Sequence, residues 1–169
     1  MVAQAFIGMG SNLAHPRRQI ARATRSLSRI PATRVVSVSG NYATAPVGAE
    51  MPQPDYVNAV AEVATTLSPR ALLRQLMLIE RRQLRTRDPG GRRNLPRTLD
   101  LDLLVYDGRR LRTPELTLPH PRMHERAFVL RPLTDIAPGM RVPGHGLARR
   151  WLRGAARQRV RHTRAHVVR

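Results

Sequence analysis

The chain has 169 residues and no cysteine, which excludes disulfide scaffolds and thiolate metal sites and leads us to expect a reducing cytoplasm. All 30 basic residues are arginine, and with 11 acidic residues the formal net charge is +19. Such a charge would attract nucleic acids or nucleoside phosphates. A compositional bias toward arginine would give the same net charge without any such function. No apolar run approaches the roughly 20 residues that a membrane-spanning helix needs, which excludes that class of protein.

The N-terminal stretch predicts a strand followed by an amphipathic helix. Residues Ala3 to Met9 are apolar and run into a turn at residues 10–13. Pro16 suits the first turn of a helix, which we expect to end before Pro31. The stripe of this helix that is predicted to be buried consists of Ile20, Ala23, Leu27 and Ile30.

Two further strands and a second helix follow. Strands are predicted from Val35 to Tyr42 and from Tyr56 to Val63, with a loop rich in Pro and Gly between them. Ser68 and Pro69 predict the N-cap and first position of a helix. Its apolar residues are Leu72, Leu73, Leu76 and Ile79.

A strand with two aspartates follows a loop, residues 85–96, that is rich in glycine and arginine. In this strand, residues 97–106, Asp100 and Asp102 share one face, whereas the leucines at 99, 101 and 103 share the other. Carboxylates about 7 Å apart along a strand repel each other and suit hard divalent cations with oxygen ligands. The alternative is a solvated face of an edge strand. Because acidic residues are scarce in this chain, we favour a metal site.

The remaining chain predicts an extended segment at residues 116–121, a short helix from Arg126 to Leu133 and one further amphipathic helix. The apolar positions of that last helix are Leu147, Trp151, Leu152 and Ala155. We expect a single domain of residues 1–146 and an arginine-rich segment, residues 147–169, whose end is disordered and not needed for chemistry. The element order βαββαβ predicts an α+β sandwich with the helices on one face of a mainly antiparallel sheet.

Several short motifs occur in a fixed order along the chain. They are GSNL (10–13), YATAPVG (42–48), QPDYVN (53–58), IE (79–80), RTR (85–87), PRTLDLD (96–102), LPHP (118–121) and RAFVLRPL (126–133). In this order the sequence resembles the 6-hydroxymethyl-7,8-dihydropterin pyrophosphokinase family of folate biosynthesis. The resemblance implies a ferredoxin-like α+β fold and transfer of the β,γ-pyrophosphoryl group of ATP to a pterin alcohol.

The resemblance also implies a set of site residues. Two Mg²⁺ ions would be held by Asp100 and Asp102, which with Arg85 and Arg97 form the implied catalytic set. The implied ATP-binding residues are Glu80, Arg85, Arg87, Arg97, Leu103, Thr117, His120 and Arg126. The implied pterin-binding residues are Thr44, Ala45, Pro46, Val47, Tyr56, Asn58 and Phe128.

Other interpretations remain open at this point. His120 and His124 could suggest zinc, although no third ligand is evident. A paralogue that binds pterin or nucleotide without transfer is possible, because Leu84 and Asn94 replace a glycine and an aromatic residue found in family members. A nucleic-acid-binding protein would use the arginine surface, but it would gain nothing from paired carboxylates. We expect a monomeric enzyme that meets nucleic acid only nonspecifically, through its basic tail.

Overall fold

The computed structural model describes residues 1–46, 52–83, 96–155 and 157–163. At its centre lies a six-stranded sheet in which every pair of neighbouring strands is antiparallel. Its strands are β1 (Ala3–Ser11), β2 (Thr33–Val38), β3 (Asn41–Thr44), β4 (Tyr56–Thr65), β5 (Asp100–Tyr106) and β10 (Val160–Thr163). Four short strands form two separate hairpins, β6 (Leu111–Arg112) with β7 (Thr117–Leu118), and β8 (Arg141–Val142) with β9 (Gly146–Leu147).

Four helices pack on the sheet. They are α1 (Pro16–Leu27), α2 (Pro69–Arg82), α3 (Ala127–Ile136) and α4 (Ala148–Gly154). The strand order is β10-β3-β4-β1-β5, and β2 pairs with the far half of β4. The path β1-α1-β2/β3-β4-α2-β5 is therefore the predicted βαββαβ order, and the predicted α+β class with a mainly antiparallel sheet is confirmed.

Alternation along the central strands separates the two faces of the sheet. On β1, Ile7 and Met9 enter one core cluster with residues of α1 and α2, whereas Phe6 belongs to a second cluster on the opposite face. On β5, Leu101 and Leu103 enter the first cluster, as the sequence predicts. Asp100 and Asp102 therefore lie on the opposite face, at its polar end.

The first two helices begin and bury the residues that the sequence indicates. Pro16 occupies the first turn of α1, and the buried residues of that helix are Ile20, Ala23 and Leu27. The side chain of Ser68 accepts a hydrogen bond from the Ala71 N–H at 3.2 Å and caps α2.

The other two helices lie on the second face, so the prediction of helices on one face only was wrong. Val60 of β4 and Leu104 of β5 pack there with Val129, Leu130 and other apolar residues of α3. Helix α4 packs against α3 through Ala148 and the half-buried Trp151. Apolar spacing predicts that a helix has a buried side, but it does not indicate which face of the sheet that side covers.

The C-terminal segment contributes a strand to the sheet, so the prediction of disorder was wrong for residues 160–163, whereas residues 164–169 lie outside the described residues. Strand β10 pairs with β3 in the register Val160–Thr44 and Thr163–Asn41. The predicted strand from Val35 to Tyr42 is divided into β2 and β3 near Gly40, where a Cβ atom would collide with the imidazole of His162. Residues 147–163 are thus part of the folded domain rather than an appendage to residues 1–146.

None of the helices in the described ranges is both long enough and apolar enough to cross a membrane.

Candidate active site

A cleft of about 440 Å³ opens on the sheet face that carries α3. Its floor is formed at Gly8 and Gly10 of β1, which pair with Asp102 and Asp100 of β5 on one side. On the other side they pair with Val60 and Asn58 of β4. Because glycine has no side chain, Gly8 and Gly10 leave open space between the aspartates of β5 and Asn58 of β4. A Cβ atom at Gly10 would lie 3.1 Å from Asn58 Oδ1.

Most of the site residues implied by the motifs meet in this cleft. Those that line it are Thr44, Ala45, Pro46, Tyr56, Asn58, Arg97, Asp100, Asp102, His120, Arg126 and Phe128. They come from β3, β4, β5 and the start of α3, with Arg97 and His120 on the segments that flank β5. Side chains distant in the sequence therefore converge on one face of the sheet.

Three implied ATP-binding residues are not brought to the cleft lining. Glu80 is 3% exposed, and its carboxylate accepts a hydrogen bond from the Leu101 N–H at 2.7 Å. This bond holds β5 from the side of α2 rather than from the cleft. Leu103 lies in the core on the face opposite the aspartates. Thr117 pairs with Arg112 in the β6–β7 hairpin. Val47, Arg85 and Arg87 lie outside the described residues.

The cleft also has lining residues that the sequence interpretation missed. They are Gly8, Met9, Gly10, Gln53, Ala59, Val60, Arg122, Glu125, Val129 and Gln158. Gly10 and Gln53 belong to quoted motifs and could have been found there. Gln158 lies in the segment predicted to be a tail, and no local signal distinguishes it.

Each aspartate is accompanied by an arginine. Arg97 Nη1 lies 2.6 Å from Asp100 Oδ2, and Arg126 Nη1 lies 3.6 Å from Asp102 Oδ2. The guanidinium of Arg126 also lies over the Phe128 ring, 5.6 Å from its centroid. The site thus combines two carboxylates with two guanidinium groups held in place by protein contacts.

Asp102 is electrostatically strained in its charged form. Desolvation at the cleft floor, reinforced by the negative charge of Asp100, raises its pKa to about 6, although the Arg126 guanidinium opposes the change. A carboxylate in this environment gains from any additional cation placed beside it. Two hard oxygen donors, one of them destabilised as an anion mainly by burial, fit Mg²⁺.

His120 presents a neutral imidazole to the same carboxylate. Its Nε2 lies 3.9 Å from Asp102 Oδ2, and its Nδ1 accepts from the Arg122 N–H at 3.3 Å, which places the remaining ring proton on Nε2. Burial, with the positive charge of Arg126 as a further cause, lowers its pKa to about 4. The backbone N–H of His120 donates to the Leu104 carbonyl at 2.8 Å and fixes the segment beside β5.

His124 has a different environment. Its ring stacks on that of His145 at a centroid distance of 5.9 Å and meets Trp151 edge-on at 5.6 Å. Across the described ranges, no group of three or more His, Asp or Glu side chains could hold a metal ion. The geometry gives the zinc interpretation no support.

The opposite side of the cleft combines a buried amide with aromatic side chains. Asn58 Nδ2 donates to Thr44 Oγ1 at 2.8 Å, and both residues are almost fully buried. This bond fixes the orientation of the amide beneath the cleft. Tyr56 and Phe128 add aromatic side chains, and burial raises the pKa of the Tyr56 hydroxyl.

Asn12 joins the two sides of the site. Its backbone N–H donates to the Arg97 carbonyl at 3.0 Å, and the Arg97 N–H donates to Asn12 Oδ1 at 2.8 Å. Its Nδ2 donates to Gln53 Oε1 at 2.8 Å and to the Pro54 carbonyl at 3.0 Å. The side chain is buried, so these bonds fix the segment that carries Arg97 against the loop before β4.

Comparison with known proteins agrees with this geometry. A curated relative from Pseudomonas aeruginosa, 2-amino-4-hydroxy-6-hydroxymethyldihydropteridine pyrophosphokinase, is 46% identical over 143 residues, which are 85% of this chain and 86% of that protein. The protein of the same name from Haemophilus influenzae is 44% identical over 139 residues, which are 82% of this chain and 84% of that protein.

A solved structure supports the fold. The HPPK-DHPS protein of Plasmodium falciparum, crystallised with pteroate, superimposes with a TM-score of 0.71 at 12% identity. The match covers 91% of this chain but only 42% of that longer protein. The profile of the 7,8-dihydro-6-hydroxymethylpterin-pyrophosphokinase (HPPK) family matches residues 6–138. The chain therefore belongs to the 7,8-dihydro-6-hydroxymethylpterin-pyrophosphokinase family.

Proposed function

We propose that this chain transfers the β,γ-pyrophosphoryl group of ATP to the hydroxymethyl oxygen of 6-hydroxymethyl-7,8-dihydropterin and releases AMP. The observation that supports this most directly is one cleft with paired aspartates and arginines on one side and a buried amide with aromatic rings on the other. A polyphosphate fits the first side, and a flat heterocycle with donors and acceptors along its edge fits the second. Family membership supports the same reaction.

Asp100 and Asp102 are the residues that would hold Mg²⁺, with two ions expected. Their oxygen donors fit this ion, and Asp102, whose charged form is destabilised by burial and by Asp100, would gain from a cation beside it. When bound, Mg²⁺ supplies neutralisation and orientation of the phosphate oxygens. The aspartates themselves contribute a fixed position, since β5 is paired with β1 and its other face lies in the core.

Arg97 and Arg126 would bind phosphate oxygens and offset the charge that develops during transfer. Phosphoryl transfer depends mainly on positioning and on charge neutralisation, and a guanidinium group binds oxygens in pairs. Both arginines already lie beside the aspartates, so their charges are at the site before the substrates bind. Arg85 and Arg87, which lie outside the described residues, would add further cations.

The pterin would lie over Asn58, between Tyr56 and Phe128. The Thr44–Asn58 hydrogen bond presets the amide, and backbone groups of residues 44–47 would complete the edge. The hydroxymethyl oxygen then forms a bond to the β-phosphorus of ATP as the bond between that phosphorus and the α-bridging oxygen breaks. The hydroxyl proton goes to solvent, and AMP leaves with the bridging oxygen.

A direct assay tests this proposal. The protein is mixed with ATP, Mg²⁺ and 6-hydroxymethyl-7,8-dihydropterin, and the nucleotide products are separated by chromatography. Formation of AMP in step with pterin pyrophosphate, lost on adding a chelator, is expected. ADP would indicate transfer of a single phosphoryl group, and no product despite binding of both ligands would favour the non-catalytic paralogue.

The cellular setting is also a proposal. Absence of cysteine and a substrate pair of soluble metabolites support a cytoplasmic enzyme, which we propose acts as a monomer. The arginine-rich C-terminal residues would bind nucleic acid only through nonspecific, salt-sensitive contacts.

A further inference from the structure

The side chain of Gln158 makes two hydrogen bonds across a long sequence separation. Its Nε2 donates to the Glu125 carbonyl at 2.6 Å, and its Oε1 accepts from the Ala127 N–H at 3.0 Å. These two backbone groups flank Arg126, the residue whose guanidinium reaches Asp102. One carboxamide therefore fixes the main chain on both sides of a cleft arginine.

The Ala127 N–H needs such a partner. Arg126 is the N-cap of α3, with φ −112° and ψ 99°, and its own side chain makes no capping bond. The Ala127 N–H is one of the amides that a helix leaves unpaired at its start. Gln158 supplies the acceptor for this first helical amide, which an N-cap side chain does not normally serve, because a capping Ser or Asp accepts from the second or third amide. The side chain of Arg126 has no acceptor of its own, so it can point into the cleft while Gln158 pairs with the start of the helix.

Gln158 is itself held by the C-terminal segment. Its backbone N–H donates to the Ala155 carbonyl at 3.0 Å, and two residues later Val160 pairs with Thr44 of β3. The segment thus lies between Arg126 on one side of the cleft and Thr44 on the other.

We propose that Gln158 is a positioning residue, which sets the direction of the Arg126 side chain toward the phosphates of ATP through the main chain of residues 125–127. The proposal rests on the proposed function, because it assumes that Arg126 binds the nucleotide. It assigns a role to a part of the chain that lies beyond the residues matched by the family profile.

A double-mutant cycle with Gln158→Met and Arg126→Ala tests this. Met has nearly the shape of Gln but neither donates nor accepts strongly, so packing is retained while both bonds are lost. Affinity for α,β-methylene-ATP with Mg²⁺ is measured by calorimetry, alongside turnover and thermal unfolding. Gln75→Met on α2, on the opposite face of the sheet, is the matched control.

We expect Gln158→Met to weaken binding of the analogue by about tenfold in the wild-type background, as for a misdirected side chain. In the Arg126→Ala background it should weaken binding by less than about twofold, because coupled sites are not additive. Equal weakening in both backgrounds would overturn the proposal, as would wild-type affinity in Gln158→Met.

A loss of folding in the Met variant is checked with Gln158→Glu. This variant keeps the acceptor for the Ala127 N–H but loses the donor to the Glu125 carbonyl, so it should still bind the analogue less tightly than wild type. Wild-type affinity in this variant would also count against the proposal. If the wild-type protein neither bound the analogue nor formed AMP, the proposed function would fall and this inference with it. If the wild-type protein turned over normally and the effects of the two substitutions on binding were additive, only the role of Gln158 would be refuted and the proposed function would stand.

Discussion

Replacing Asp102 by Asn should stabilise the metal-free protein while it abolishes most of the activity. The pKa of Asp102 is raised from 3.8 to about 6, so near neutral pH the folded protein holds a charge that the unfolded chain accommodates more easily. A shift of this size corresponds to about 3 kcal/mol at most. Because the side chain is 34% exposed, solvent screening reduces this, and we expect a gain of about 1–2 kcal/mol.

The pH dependence follows from the sign of the shift. Below about pH 3 the carboxyl is protonated in both the folded and the unfolded chain, so Asn and Asp should be equivalent. As pH rises from about 3 to about 6 the unfolded chain loses the proton first, and the wild-type protein loses stability that the variant keeps. Above pH 6 the difference should be constant.

Thermal unfolding in a chelator at pH 4, 5, 6 and 7 measures this difference. At pH 7 the variant should melt about 3–6 °C higher than the wild type. Turnover with Mg²⁺ should fall roughly 100-fold or more, since an amide is a poor ligand for a hard cation. Glu115→Gln, which removes an exposed carboxylate paired with Arg70, is the control for net charge.

Three outcomes would refute the reasoning. A variant that melts below the wild type at pH 7 by more than the control does would show that Asp102 is stabilising as a charge. Near-normal turnover in a folded variant would remove Asp102 from the proposed metal site. A stability gain that persisted undiminished at pH 4 would mean that the pKa of Asp102 is not its cause.

Three further predictions concern other parts of the cleft. Gly10→Ala places a methyl group 3.1 Å from Asn58 Oδ1 and should weaken pterin binding by about tenfold without changing affinity for an ATP analogue; equal affinity for pterin would contradict it. Arg97→Lys keeps the charge beside Asp100 but loses the paired donors, so KM for ATP should rise by about tenfold in steady-state kinetics, with little change in melting temperature. Truncation after Arg157 removes β10, so it should lower the melting temperature, the turnover and the retention on heparin at low salt. The sequence alone predicts that only the retention on heparin changes.

Local patterns predicted the parts of the fold that depend on alternation along a strand. The two faces of β5 follow from residues 99–103, and the structure brings Asp100 and Asp102 to one cleft wall as expected. The start of α2 follows from Ser68 and Pro69, because capping depends on residues adjacent in sequence.

What could not be predicted depends on partners distant in the sequence. The segment of residues 160–163 is short and basic, and it forms a strand because it pairs with the edge of β3. Gln158 bonds to backbone groups more than 30 residues away. At Glu80 the motif match predicts a nucleotide contact, but in the structure its carboxylate accepts a hydrogen bond from the Leu101 N–H.

Burial of ion pairs distinguishes the cleft from the rest of this highly basic surface. The pairs Arg70–Glu115 and Arg161–Asp55 have side chains that are more than half exposed, and such pairs contribute about 0–1 kcal/mol each. Arg97 and Arg126 are only 30% and 26% exposed, and each meets an aspartate on the same strand. Reduced solvent screening makes their fields stronger at the point where phosphate charge would lie. The net charge of +19 can draw anionic substrates toward the protein, but the position of these two arginines beside Asp100 and Asp102 is what makes one cleft suited to pyrophosphoryl transfer.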